Sequence, residues 1–493
     1  MTGERLRLRR ILVLRGANWA ADGSVAVGVL EGPYDPADWE RVRAAVARIL
    51  PSGEPAGRLS EPRATAGAAV EAVAAALCAW AGHPPVARRR TAVADATGGR
   101  LAILPLWHEG LTLGALRLAA ATVARAARGL PDDAWIDGAR RRIDALRGEA
   151  SLWLKGSRRW IVRAAEARGI AWRPVAAAPH LLLLGEGRHG RRFHATATWK
   201  TTHISGSIAS DKRAANQMLR SAGVPAARQR VVADATALSA AAGELGLPLV
   251  VKPSDARLQA GVTFLYRVED AERAFGEAAA HGSAVVAESF LPGREYRILV
   301  IDGAVVEAFE RPPPLVVGDG AATIAELVAR ENAKPDRGPW RDGFPIGPIT
   351  LDAQSAAFLA HEGKSVDHVP AAGEVVATHP MPMLRFGGHE RVEVTGRIHP
   401  DNRALAIRAL AILGLDVGGI DFRTPDITRS WREVGAGVCE VNPQPDLSAH
   451  YMPGLRGDVA GTLVDSVFPA GRRHRMRHVV LVGQADLAPH AAA

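Results

Sequence analysis

The apolar positions of this chain have two textures. Up to about residue 160, short apolar runs alternate with long Ala/Arg segments, and in residues 64–81 and 111–130 the apolar spacing has the helical period. These predict an N-terminal α/β domain over residues 1–155. From Trp160 onward the runs shorten and turn signals multiply. Residues 161–169 read as a helix closed by Gly169, residues 177–185 as a buried strand, and residues 211–225 as a helix. That last helix has Asp211 or Ser210 as its N-cap, and Gly223 ends it before Pro225. Strands are expected at residues 247–252, 284–288, 297–301 and 305–309, with Asp302-Gly303 as a hairpin turn between the last two. Pro312 to Pro314 and residues 333–348 read as loops, and no tandem repeat is present.

Composition narrows the function classes. A chain of 493 residues exceeds what one core organises, and 47% hydrophobic content suffices for two or three domains. The formal charge of +9 is spread over scattered arginines, and aromatics make up only 5% of residues, so no stacking platform for nucleic acid is present. The arginine runs at 88–90, 140–142 and 472–477 read as solvated faces, while an anionic small-molecule or peptide substrate is compatible with the charge. Cys78 and Cys439 are the only cysteines, which rules out a disulfide framework and suits a reducing cytoplasm. No apolar run reaches membrane-span length, and the basic start leads only to a short apolar stretch at residues 11–14, so neither a membrane segment nor a secretory signal is expected.

Candidate chemistry lies in the later part of the chain. Asp421, in Gly418-Gly-Ile-Asp, precedes Val438-Cys-Glu-Val-Asn, where Glu440 and Asn442 sit two apart and share a face on a strand. Two carboxylates and an amide are the oxygen donors a hard divalent cation takes beside phosphate oxygens. Taken alone, the pattern equally suits a strand end with polar residues. Lys212 at a helix start and Lys252 at a strand end are point charges that suit phosphate, or ordinary surface lysines. Glu288 and Glu295 flank a Pro-Gly bend, and one can accept from an adenine amino group and the other from ribose hydroxyls.

The collinear series Lys212, Lys252, Glu288, Glu295, Arg297, Arg311, Asp421, Glu440, Asn442 resembles the ATP-grasp superfamily, and more closely the ATP-grasp half of cyanophycin synthetases. The likeness runs through Ser210-Asp-Lys, Glu288-Ser-Phe-Leu-Pro-Gly, Val317-Gly-Asp-Gly, Val369-Pro-Ala-Ala-Gly-Glu, His399-Pro-Asp-Asn-Arg and Thr424-Pro-Asp-Ile, over roughly residues 155–470. It implies a multidomain α+β and α/β chain. In this reading an ATP-grasp domain of two α+β lobes occupies residues 156–470, with a lid at about 213–292 and a tail at 471–493. It further implies that Lys212 and Lys252 hold ATP phosphates, Glu288 and the Leu291 backbone meet adenine, and Glu295 meets ribose. Asp421, Glu440 and Asn442 would hold two Mg²⁺ ions, with Mn²⁺ as an alternative. Arg297 and Arg311 would face the transferred phosphate. Thr202, Leu258, Glu374, Arg385, Gly387 and Gly388 are candidate substrate contacts. The activity implied is ADP-forming carboxylate-amine ligation of an amino acid or small peptide through an acyl-phosphate. A silent nucleotide-binding homologue and a kinase are the alternatives. A cytoplasmic homo-oligomer, dimer or tetramer, with no nucleic-acid or membrane partner, is expected.

Three departures set further expectations. The glycine-rich phosphate loop of the family is replaced here by Ala256-Arg-Leu-Gln-Ala-Gly261, with only Gly261 retained. A polar substrate loop becomes Met381-Pro-Met-Leu-Arg-Phe-Gly-Gly388, so loss of affinity for aspartate is expected, with Arg385 reading a different acid. The muramyl-ligase-like half of the family is expected to be missing here, so alternating two-residue polymerisation by this chain is not expected.

Overall fold

The structure is a computed structural model that describes residues 5–14, 20–21, 24–50, 59–82, 98–106, 108–153, 155–175, 178–254, 261–282, 284–338, 346–382, 387–452, 454–455 and 457–474. Two compact units divide the chain. One holds residues up to Ala195 together with those from Phe468 on; the other runs from Thr196 to Val467.

In the first unit β1 (Arg7–Leu14), β2 (Val25–Glu31) and β3 (Leu101–Pro105) form an antiparallel sheet in that order. The two Ala-rich segments form the expected helices, Ala66–Trp80 and Glu109–Ala126. Thr65 caps the first by accepting from the Ala68 amide, and His108 caps the second by accepting from Leu111. Small side chains let helix and strand approach closely: a Cβ on Gly67 would stand 2.2 Å from the Leu101 carbonyl. A second sheet of β4 (Trp172–Val175), β5 (Ala178–Leu184) and β6 (Arg191–His194) also belongs to this unit. The compact boundary therefore falls later than residue 155, because residues 185 and 186 bond to Ala171 and His474 of the same unit.

The second unit opens with a short strand, β7 (Ala197–Thr198). Its smaller sheet is built from β8 (Gln229–Val232), β9 (Leu249–Pro253), β10 (Thr263–Leu265) and β11 (Val285–Ser289), in the order β10-β9-β11-β8. The helices Ala235–Leu245 and Ala271–Ala279 bury Leu238 and Ala274 with Leu249, Val251 and Leu265 of this sheet in one core. β12 (Arg294–Ile301) and β13 (Ala304–Glu310) form a hairpin at Asp302-Gly303, both residues having positive φ (49° and 79°) as the dipeptide predicts. A two-stranded ribbon follows, β14 (Leu315–Val317) with β15 (Val375–Ala377). β16 (Val392–Glu393), β17 (Val417–Thr424) and β18 (Gly437–Asn442) complete a larger sheet in the order β16-β13-β12-β17-β18.

Alternation along these strands sorts the larger sheet into two faces. Tyr296, Ile298, Val300, Ile420 and Phe422 pack into a core with Leu405, Ala409, Leu410 and Leu413 of the helix Pro400–Leu413. The intervening residues, Glu295, Arg297, Asp421 and Glu440 among them, leave the opposite face. That polar face carries the candidate site.

Candidate active site

One row of paired residues crosses the larger sheet: Glu393 on β16, Phe309 on β13, Arg297 on β12, Asp421 on β17 and Glu440 on β18. Cross-strand partners project from the same face, so one register brings the arginine and both carboxylates together. In the neighbouring positions Glu295 opposes Arg423 and Asn442 opposes Gly419. Gly419 has a steric reason to be glycine, since a Cβ there would lie 2.6 Å from Arg297 Nη1 and 3.0 Å from Pro445.

Asp421 is the hub. Its Oδ1 lies 2.8 Å from Arg297 Nε and 3.0 Å from Arg311 Nη2, and Arg311 also pairs with Glu295. Neither approach to Oδ1 has hydrogen-bond geometry, so this buried oxygen has ionic contacts but accepts no hydrogen bond. Burial depresses the Arg297 pKa, with Asp421 opposing and Arg311 adding to the fall. For Arg311 burial again opposes the charge, yet Asp421 and Glu295 outweigh it and raise the pKa above the ordinary arginine value.

An orphaned carboxylate oxygen beside a second carboxylate is a donor set that fits a divalent cation. Asp421, Glu440 and Asn442 are the residues that would hold it. Asn442 Nδ2 is 3.5 Å from Asp421 Oδ2, and Glu440 is 3.4 Å from the Lys212 ammonium. Among the described residues no group of three or more His, Cys, Asp or Glu has metal-binding placement, so the phosphate oxygens of a ligand would have to complete the coordination.

Beside Asp421 opens a cleft enclosing about 880 Å³, part of it continuous with solvent, lined by Lys212, Lys252, Glu288, Leu291, Glu295, Asp421 and Glu440. Seven of the residues singled out from the sequence therefore meet in one place. Val250, Phe264, Phe290 and Met381 supply apolar walls of the kind a flat aromatic ring takes. Lys252 Nζ is 2.5 Å from Glu288 Oε2, and the Gln229 amide donates to the other oxygen of Glu288. Burial works against the Lys252 charge, but Glu288 beside it, with Glu440 further off, lifts its pKa above the ordinary lysine value. Burial pushes the Cys439 thiol, also in the cleft wall, well above its usual range.

Lys212 occupies the first turn of the helix Lys212–Ser221. Asp211 caps that helix by accepting from the Arg213 and Ala214 amides, so the expected cap also aims the lysine. Gln229, Arg423 and Met381 were not singled out for the nucleotide cleft, although Arg423 lies over the Phe290 ring at 4.4 Å. No local motif announces them, because strand pairing and loop return bring them in. Met381, expected from the sequence in a substrate loop, stands in the same wall as Lys252. Leu258, Arg385, Met383 and Phe386 lie outside the described residues.

Thr202, Glu374, Gly387 and Gly388 do not line the cleft. Thr202 caps the helix His203–Ser210 by accepting from the Ser205 amide, and Glu374 accepts from the Ala371 amide. Gly387 has φ +87°, and a Cβ on it would stand 2.6 Å from Ile349 Cα, while its carbonyl accepts from buried Arg337. Gly387→Ala is therefore expected to cost more than about 2 kcal/mol of stability, measured by chemical denaturation. An unchanged midpoint would mean that the loop repacks freely.

No family model matches the chain. Cyanophycin synthetase of Trichormus variabilis is 36% identical over 327 residues, a stretch covering 66% of this chain and 36% of that protein. The bifunctional glutathione biosynthesis protein of Clostridium perfringens is 27% identical over 296 residues, covering 58% of this chain and 37% of its own. Among solved structures, a bifunctional glutathione synthetase from Pasteurella multocida aligns over 73% of this chain and 51% of its own at a TM-score of 0.45 and 22% identity. The chain is thus similar to cyanophycin synthetase and to the bifunctional glutathione biosynthesis proteins, and its helices and antiparallel sheets make a multidomain α+β fold. It spans about a third of the length of the curated relatives it matches.

Proposed function

We propose that the chain is an ATP-dependent carboxylate-amine ligase that forms an amide on an amino acid or small peptide and releases ADP and phosphate. The observation that carries this reading is the meeting of Lys212, Lys252, Glu288 and Glu295 with Asp421 and Glu440 in one cleft, beside Arg297 and Arg311. Phosphoryl transfer asks for positioning and charge neutralisation, and this site offers both without a covalent partner.

Within that reading Lys212 and Lys252 meet phosphate oxygens as point charges. The Glu288 carboxylate, steadied by Gln229, faces the adenine amino group along with the Leu291 backbone, and Glu295 faces the ribose. Arg297 and Arg311, already ordered by Asp421 and Glu295, stabilise the charge that develops on the transferred group. A carboxylate oxygen of one substrate bonds to the γ-phosphorus as the bond to ADP breaks. An amine nitrogen then bonds to the acyl carbon, phosphate departs with the electron pair of the C–O bond, and the amine gives up a proton. Two Mg²⁺ ions, or Mn²⁺ in their place, would neutralise phosphate charge when bound by Asp421, Glu440 and Asn442.

The test supplies ATP with pooled amino acids and peptides, identifies the product by mass, and then repeats the reaction with oxygen-18 in the substrate carboxylate. One labelled oxygen in the released phosphate is the expected result. Unlabelled phosphate alongside an amide product would overturn the acyl-phosphate route. A phosphate ester as product would make the chain a kinase, and ATP binding without turnover would make it a silent homologue.

A further inference from the structure

The segment between β13 and β16 has a core of its own, in which Val316, Ile324, Leu327, Ile349, Leu359 and Val376 pack together. Leu359 comes from the helix Ala353–His361. Asp352 caps that helix by accepting from the Ser355 amide, and the Ser355 hydroxyl donates to the Thr350 carbonyl at 2.9 Å. One face of the helix, with Ser355 and Leu359, is thus anchored in its own body. Gln354, Phe358 and His361 follow the i, i+4, i+7 spacing of a second face.

That second face meets the smaller sheet. β10 is an edge strand there, in the order β10-β9-β11-β8, and an edge of unpaired backbone groups needs a cover. The Gln354 amide donates to the Val262 carbonyl at 3.1 Å, just before β10 begins. Tyr266, just past the other end of the strand, stacks on His361 with ring centroids 4.7 Å apart and lies 6.4 Å from Phe358. One helix therefore grips one strand at both ends. From Tyr266 the rings continue to Phe264 and on to Phe290, each step 6.1 Å, and those two rings line the nucleotide cleft.

The grip is of a strength that can be undone. Gln354 Oε1 is buried without a hydrogen-bond partner, which offsets part of what the bond from Nε2 contributes, and parting the surfaces returns that oxygen to water. Gln354, Phe358 and His361 do not line the cleft, so they reach the nucleotide only through β10. We propose that the helix Ala353–His361 is a latch: it holds β10, and with it Phe264, over the bound nucleotide and parts from the strand when the nucleotide leaves. This inference rests on the ligase reading, in which the smaller sheet is the lid over ATP, and adds the element that keeps the lid shut.

The test uses the full chain with Mg²⁺ and a non-hydrolysable ATP analogue. In wild type the analogue should slow amide hydrogen exchange at residues 353–361 as well as at residues 263–265, and leave the helix Ile324–Asn332 of the same body unchanged. In the double variant Gln354→Ala, His361→Ala the analogue should dissociate from immobilised protein about tenfold faster, as loss of one hydrogen bond and one ring contact gives, with the melting temperature near wild type. The exchange measurement needs no variant and decides the matter even where the double variant does not fold. Slowing confined to residues 263–265, or a wild-type dissociation rate in the folded double variant, would overturn the latch and leave the ligase reading standing. Failure of the analogue itself to bind would overturn both.

Discussion

Glu440→Gln is expected to lower ADP release by a hundredfold or more and to leave the melting temperature almost unchanged. The two effects separate because of where the carboxylate sits. Its side chain is 29% exposed and faces Lys212 at 3.4 Å, a pairing that contributes about 0 to 1 kcal/mol to stability. Its charge nevertheless belongs to the pair that would bind the divalent cation, where one lost carboxylate removes much of the stabilisation of the transferred phosphoryl group. Asp421→Asn should lose as much activity and should also destabilise the fold by about 3 kcal/mol. Asp421 is buried at 9% exposure and is the partner of both Arg297 and Arg311, so its removal takes from Arg297 its close ion pair. The checks are steady-state ADP release at saturating Mg²⁺ and urea denaturation. Wild-type turnover in Glu440→Gln would remove that residue from the site.

Lys252→Met is the second large effect, expected to weaken ATP binding by about a hundredfold and to destabilise the chain by about 3 kcal/mol. The 2.5 Å contact with Glu288 is almost completely enclosed, with the two side chains 14% and 8% exposed. Removing the ammonium strands a buried carboxylate that keeps only the Gln229 amide. Lys252→Met combined with Glu288→Gln should therefore recover most of the stability but none of the ATP affinity, a non-additive outcome that a merely exposed lysine would not produce. The pH dependence has a definite sign. Because the folded-state pKa of Lys252 lies above its unfolded value, the contribution is complete below about pH 10.5 and fades only as pH rises through the folded value. The difference between wild type and Lys252→Met should accordingly be flat from about pH 6 to 9. A gap that closes as pH rises towards 9 would point to another group.

Much of this chain is decided locally. Asp211 caps its helix because a short carboxylate side chain reaches the exposed amides of the first turn, and Asp302-Gly303 turns the hairpin because both residues accept positive φ. The two-residue spacing of Glu440 and Asn442 settles that they share a strand face. Such features depend on neighbours within a few positions. Taken alone, the polar residues at these strand ends suit a cation site or an ordinary strand end equally, and ATP, a divalent cation and two arginines are what the resemblance of the collinear series to the ATP-grasp superfamily implies.

Tertiary structure decided what those residues touch. That Lys252 spends its charge on Glu288 and that Asp421 carries both arginines follow from the register between strands far apart in sequence. Met381 joins the nucleotide wall through the return of a long insertion, and Gly419 is needed because the Arg297 guanidinium passes where its Cβ would be. Electrostatic energy depends on distance and burial, and neither is a property of a residue's neighbours along the chain. Residue types and their order therefore carry the resemblance, while strand register determines which charges compensate one another.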